Sequence, residues 1–233
     1  MKSLFLLSFC ILLVGCIPSV AIDSTTYTAD YDISLSKVER PEDASERYGN
    51  QVIESLDAEK YQYYYEDDLV KVLWVVNSSN IAFSLKNKTD NSIRIPWDEG
   101  AFIDEDGSSH RIMHSGIKYT DRNQPQAPSI VARQASIEDI VVPSSYVEWS
   151  EGGQYSAGEW VTKPLLPDFD YHDNYSSGDQ TSFEEFERTV KSKVDKSIQV
   201  LLPLQIEDVV NDYIFTFEVL SASASQKTEQ NTY

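Results

Sequence analysis

Short stretches that alternate apolar and polar residues, each closed by a turn signal, constrain this chain more than any other feature. In IAFSLKN, Ile81, Phe83 and Leu85 alternate with Ala82, Ser84 and Lys86. A period of two sends one set to each face of a strand. SIRIPW continues the pattern through Ile93, Ile95 and Trp97. Pro96 has no N–H for a neighbouring strand, so this strand lies at an edge or near its own end. LVKVLWVV, Leu69 to Val76, is apolar on both faces apart from Lys71 and reads as a buried strand. NSSN and KTDN supply turns on either side of IAFSLKN. AFIDEDGSSHRIMH predicts a hairpin with Asp106-Gly107 at its tip. ASIEDIVVP, closed by Pro143, and YVEW predict two more strands, and YDISLSKV a first one near Tyr31.

The C-terminal third carries a different period. Phe183, Phe186, Val190 and Val194 recur at helical spacing behind Ser182, and Glu185 completes a capping-box pattern. Lys191, Lys193 and Lys196 lie late, where they complement the helix dipole. This predicts one helix over residues 183–196. SIQVLLPLQI and DYIFTFEVL then read as two antiparallel strands around EDVVND, with Tyr213, Phe215, Phe217 and Val219 on one face. The segment after Pro41, RPEDASERYGNQVIESLDAEK, is helix-compatible, with its acids early. Residues 221–233, SASASQKTEQNTY, lack apolar content and read as a flexible tail. No internal repeat of fixed period is present.

Many short strands with frequent turns predict a mainly β protein, an antiparallel sandwich with the helix inserted or packed against it. The succession FSLKNKTDNSIRI, FIDEDGSSHRI, IVVP, LLPLQI and YIFTFEV resembles the immunoglobulin-like domains of uncharacterised bacterial envelope lipoproteins, over Leu69 to Leu220. The resemblance implies an immunoglobulin-like β-sandwich without the core cysteine pair of antibody domains. It speaks to fold more than to function.

The N-terminus carries an address. Lys2 precedes an apolar run, Leu4 to Val14, of about 11 residues, the length of a signal-peptide core. A membrane-spanning helix needs about 20. Leu13-Val14-Gly15-Cys16 resembles the lipobox of bacterial lipoproteins. That resemblance implies lipid transfer to the Cys16 thiol and cleavage before Cys16. Two or three acyl chains would anchor the protein durably to a membrane. Ile17, rather than Asp, follows the cysteine, which in Gram-negative families implies sorting to the outer membrane. The expected organisation is a signal peptide over 1–15, a lipidated Ser/Thr-rich tether over 16–28, a β-rich domain over 29–220 and the tail. Of the two cysteines, Cys10 leaves with the signal, so the body has no disulfide and needs a real core.

Sharp chemistry is scarce in the sequence. The formal net charge of −19, from 19 Lys and Arg against 38 Asp and Glu, repels phosphate backbones and argues against nucleic-acid partners. No G-x-S-x-G elbow is present, and lipidation leaves no free thiol. Of three histidines, His110 and His114 lie four apart, about 13 Å along a strand, too far to chelate one ion. They read as hairpin-surface or half-buried polar residues. The loop DFDYHDNYSSGD begins like a calcium loop with Asp168 and Asp170. His172 and Asp173 then stand where a ligand and the glycine belong, so a solvated loop is expected. Tyr61, Tyr63 and Tyr65 share a face and raise the question of a sugar platform, but tyrosine in a strand reads first as structure. No catalytic residue, metal or cofactor is assigned; Cys16 is the one residue with an assigned chemistry.

These features point to a lipid-anchored envelope protein that binds a partner or serves an envelope assembly. The alternatives are a secreted hydrolase or carbohydrate-active enzyme, which requires a concave pocket with close carboxylates, and a chaperone-like module that adds a client strand to an open sheet edge.

Overall fold

Alternation becomes burial in the computed structural model, which describes residues 22–41, 47–55, 62–154, 156–167 and 182–231. In β5 (Ile81–Asn87), Ile81, Phe83 and Leu85 are buried and the residues between them half-exposed. In β4 (Val70–Val76), Val70, Val72, Trp74 and Val76 are buried, while Leu73 and Val75 are only half-covered. LVKVLWVV therefore has one core face rather than two.

Two layers result. In the first, β1 (Ile22–Glu39), β14 (Val209–Asn231) and β13 (Ser197–Ile206) lie side by side. The far edge of β13 pairs with β7 (Ala101–Ile103) and with β6 (Ile93–Ile95). Beyond these lie β8 (Ser109–Met113) and β9 (Ser129–Val131). The second layer runs β10 (Ser136–Pro143), β5, β4, β3 (Gln62–Glu66) and β2 (Val52–Ser55). Every pairing among the described strands is antiparallel. β10 joins the layers: Ser136 to Val141 pair with β5, then Val142 and Pro143 pair with β8. A strand that changes sheets is how such a corner is built. This is the expected mainly β antiparallel sandwich, with one α-helix lying wholly within the described residues.

The layers meet through aromatic rings. Trp74 lies 4.7 Å from Phe215 and 5.9 Å from Phe217, centroid to centroid, and Tyr65 meets Phe215 edge-on at 5.4 Å. Tyr213, Phe215, Phe217 and Val219 share the buried face, as their spacing predicts. Pro203, in mid-β13, sits between the stretch that pairs with β7 (Gln199–Leu201) and the stretch that pairs with β6 (Gln205–Ile206). Its missing N–H costs no ladder bond there.

One buried carboxylate ties the layers together. Asp67 closes the β3–β4 turn: its Oδ1 accepts the Leu69 and Val70 N–H groups, each at 2.9 Å. Its Oδ2 accepts the Tyr65 hydroxyl at 2.8 Å, the Tyr213 hydroxyl at 2.9 Å and Arg40 Nη1 at 3.4 Å. Burial, then the Asp67 charge, pushes the Tyr65 and Tyr213 hydroxyls above the ordinary tyrosine pKa. Beside this node, Tyr48 donates to Asn211 Oδ1, and Asn211 Nδ2 donates to Leu204 O at 2.8 Å.

The helix α1 (Phe183–Lys191) starts where its cap predicts, with Ser182 Oγ accepting the Glu185 N–H. It stops short of residue 196, because Ser192–Asp195 turn and Asp195 takes a φ of +64° before β13. Phe183 and Phe186 pack on Tyr27 of β1, at 5.4 and 5.2 Å. No helix among the described residues is long and apolar enough to cross a membrane.

Three segments differ from the sequence reading. Residues 221–231, read as a flexible tail, continue β14, and 22–28, read as tether, already belong to β1. The register runs unbroken from Ile22↔Asn231 to Asp32↔Ser221. These are Ser-, Thr- and Ala-rich strands held by backbone pairing, which leaves no apolar alternation to detect. Val52–Ser55, in the helix-compatible segment, form β2 at the sheet edge against β3. The rest of that segment described as helical is confined to Arg47 and Tyr48.

Candidate functional site

The β7–β8 hairpin builds a hydrogen-bonded relay. Asp104, just past β7, accepts the Asp106 and Ser108 N–H groups on Oδ1, at 3.0 and 2.8 Å. Gly107 takes a φ of +85° at the tip, where the glycine of the predicted Asp-Gly turn is required. Phe102 pairs with His110, so Asp104 and His110 are diagonal neighbours on one face. Asp104 Oδ2 lies 2.8 Å from His110 Nε2. His110 Nδ1 lies 2.8 Å from the Ser145 hydroxyl, which arrives from the 3-10 turn Ser144–Tyr146 after β10.

The donors in this chain follow from chemistry. Burial works to raise the Asp104 carboxyl. The hydrogen bonds from His110, Ser108 and Asp106 outweigh it and hold the group below the usual aspartate value. An ionised carboxylate only accepts, so the proton between the two is on Nε2. In the neutral ring Nδ1 then carries a lone pair, and Ser145 must donate to it. The Tyr146 ring stands edge-on to His110 at 5.2 Å and to Phe102 at 5.8 Å. Burial, then the charges of Asp104, Glu105 and Asp106, pushes its hydroxyl up to about 12.

A cleft of about 520 Å³ opens beside the relay, lined among others by Glu105, Tyr146, Glu148, Val161, Lys163 and Leu165. Its volume is in the range of small-molecule sites. Two backbone bonds shape it: Lys163 N–H to Tyr146 O at 2.8 Å and Leu165 N–H to Ser78 O at 2.6 Å. Its carboxylates are matched, Glu105 by Lys193 and Glu148 by Lys163, each at 2.9 Å.

One wall of the cleft is a separate two-stranded sheet, β11 (Val147–Ser150) with β12 (Glu159–Thr162). An isolated pair of short strands is marginal in water. Here Trp149 and Trp160 sit directly opposite, rings 5.5 Å apart and T-shaped. Val147 adds a small second core with Met113 and Val142. Arg122 stacks over Trp160 at 4.9 Å, and Tyr119 meets it at 6.2 Å. Trp149 remains 52% exposed, an uncommon state for so large a ring.

Other residues singled out in the sequence fall elsewhere. His114 stacks on Trp97 with centroids 4.5 Å apart, and its Nδ1 lies 3.4 Å from Asp139 Oδ2, in a cluster apart from His110. Tyr63 and Tyr65 are core residues, which removes them from any sugar platform. Cys16, Tyr61, His172, Asp168, Asp170 and Asp173 lie outside the described residues. Among the described residues no three His, Cys, Asp or Glu side chains converge as a metal site requires. The edge strand β1 carries two register shifts, at Asp32/Ile33 and Leu35/Lys37. The Tyr63 hydroxyl also donates to Ile33 O at 2.8 Å. Bulges and covering contacts of this kind discourage strand addition. Asp104 and Ser145 were not legible as site residues. The hairpin register could have joined Asp104 to His110, but nothing in the sequence marks Ser145.

The chain matches no protein-family model, no curated protein and no solved structure.

Proposed function

We propose that the protein is a lipid-anchored component of the bacterial cell envelope, attached through Cys16 and sorted to the outer membrane, that works by binding a protein partner of an envelope assembly. The anchoring half rests on the LVGC sequence. The binding half rests on one observation, the exposed aromatic group on the β11–β12 hairpin. Trp149 is half open to solvent beside Trp160, Tyr119 and Arg122, the residue types that dominate binding hot spots. The sandwich supplies the rigid support that keeps such a group solvent-facing.

Two measurements test this. In cells fed a labelled fatty acid, the wild type takes up label and Cys16→Ala does not; equal labelling of both defeats the anchor. In-cell crosslinking followed by mass spectrometry recovers the same protein partner reproducibly, and Trp149→Ser reduces the yield at least about fivefold, the scale of 1 kcal/mol lost at a hot spot. Recovery unaffected by Trp149→Ser, or no reproducible partner, defeats the binding site.

A further inference from the structure

We propose that Asp104, His110 and Ser145 act as a nucleophile relay, and that the protein cleaves neutral esters of short apolar acids held in the adjoining cleft. This goes beyond the binding role and does not depend on the lipid anchor. The hydrogen-bond chain has the required order, carboxylate to imidazole to hydroxyl, with both links at 2.8 Å. The three residue types at these separations are what hydroxyl activation needs, whatever the surrounding fold. Ser145 is exposed, while the His110 and Asp104 side chains are only 19% and 14% exposed. The base is thus shielded and the nucleophile presented. Tyr146 and Glu105, the chain neighbours of Ser145 and Asp104, both line the cleft, and the Tyr146 ring, 5.2 Å from His110, stands between the cleft and the relay. Val161, Leu165 and Leu166 give that cleft an apolar wall for an acyl chain.

In the first step Ser145 Oγ bonds to the ester carbonyl carbon and its proton passes to His110 Nδ1. The C=O electron pair moves onto the carbonyl oxygen. Collapse of that intermediate breaks the bond to the alcohol oxygen, which takes the proton from His110 and leaves. Water then attacks the acyl-serine and gives one proton to His110. The carboxylic acid departs as that proton returns to Ser145 Oγ. Asp104 is a positioning residue: it holds the Nε2–H tautomer and balances the imidazolium.

The test uses the full chain purified in detergent, an alkyl fluorophosphonate probe and p-nitrophenyl butyrate. The probe is expected to add to Ser145, located by peptide mass spectrometry, and the ester to be hydrolysed. Both are lost in Ser145→Ala, an exposed site whose substitution leaves the fold intact. His110→Gln lowers the labelling rate at least about 100-fold, the usual range for a general base. Asp104→Asn lowers kcat by a similar factor with KM unchanged, which a purely structural role would not do. A folded wild type without label or hydrolysis overturns the proposal. So does label at another residue, or labelling undiminished in Ser145→Ala. If His110→Gln or Asp104→Asn does not fold, Ser145→Ala decides alone.

Discussion

Replacing Asp67 by alanine removes the acceptor for five donors at once. Three of them are buried: the Val70 N–H at 2.9 Å, the Tyr65 hydroxyl at 2.8 Å and the Tyr213 hydroxyl at 2.9 Å. Each buried donor left without a partner costs about 1–3 kcal/mol. Arg40 also loses the carboxylate it faces at 3.4 Å. Water entering the vacated space recovers part of this, and the net expectation is about 4–5 kcal/mol. That is the scale on which breaking a buried pair by removing one partner destabilises a protein. It is a quarter or more of the roughly 5–15 kcal/mol that holds a domain folded. Asp67→Asn keeps an oxygen for the two backbone N–H groups but sets an NH2 where Oδ2 accepted three donors; a tyrosine hydroxyl can turn to accept from it, whereas Arg40 faces a second donor, so a smaller cost of about 2–3 kcal/mol is expected. Urea unfolding followed by tryptophan fluorescence measures both, with unchanged m-values as the sign that only stability moved. A cost below about 1.5 kcal/mol for Asp67→Ala, or equal costs for Ala and Asn, would refute the node as the tie between the layers.

Stability should fall steeply above pH 10. The Tyr63, Tyr65 and Tyr213 pKa values are raised in the folded state, chiefly by burial, so the unfolded chain loses these protons first. Stability is therefore full below about pH 10, the unfolded tyrosine value, and drops above it by about 1.4 kcal/mol per pH unit for each tyrosine that stays protonated; urea midpoints that stay flat to pH 11 contradict this. Ser182→Ala should cost about 1 kcal/mol and Ser182→Asp almost nothing, read as hydrogen exchange in α1, because only the alanine removes the side-chain cap and leaves the Glu185 N–H with the Ser182 carbonyl alone. Gly158→Ala should uncouple the Trp149–Trp160 pair, since the added Cβ would lie 2.5 Å from the Trp149 ring; loss of the coupled-tryptophan circular dichroism band, with the global unfolding midpoint kept, is the expected result.

Local chemistry made much of this fold legible. β13 and the inner half of β14 announce themselves through alternation at Tyr213, Phe215 and Phe217, and α1 through Ser182 and Glu185. The turn between the two strands narrows from EDVVND to Glu207 and Asp208, because Ile206 pairs directly with Val209. What stayed hidden has two physical causes. The outer halves of β1 and β14 pair through backbone groups that every residue carries, so side-chain pattern is silent about them. Asp67 and Tyr213 lie 146 positions apart, and Ser145 lies 35 from His110. Their meeting depends on the packed layers and not on any spacing along the chain.

The pairing of β1 with β14 also sets an order of events in biogenesis. A chain delivered N-terminus first brings out β1 with its partner still unmade. Ile22 waits for Asn231, and Glu39 for Ile214. β13 likewise finds its long neighbour only when Val209 to Glu218 arrive. Closures across such separations are slow, and strands that wait for them are exposed to wrong pairing. The sandwich thus completes only after its last strand arrives, and until then β1 and one side of β13 present backbone groups with no strand to take them.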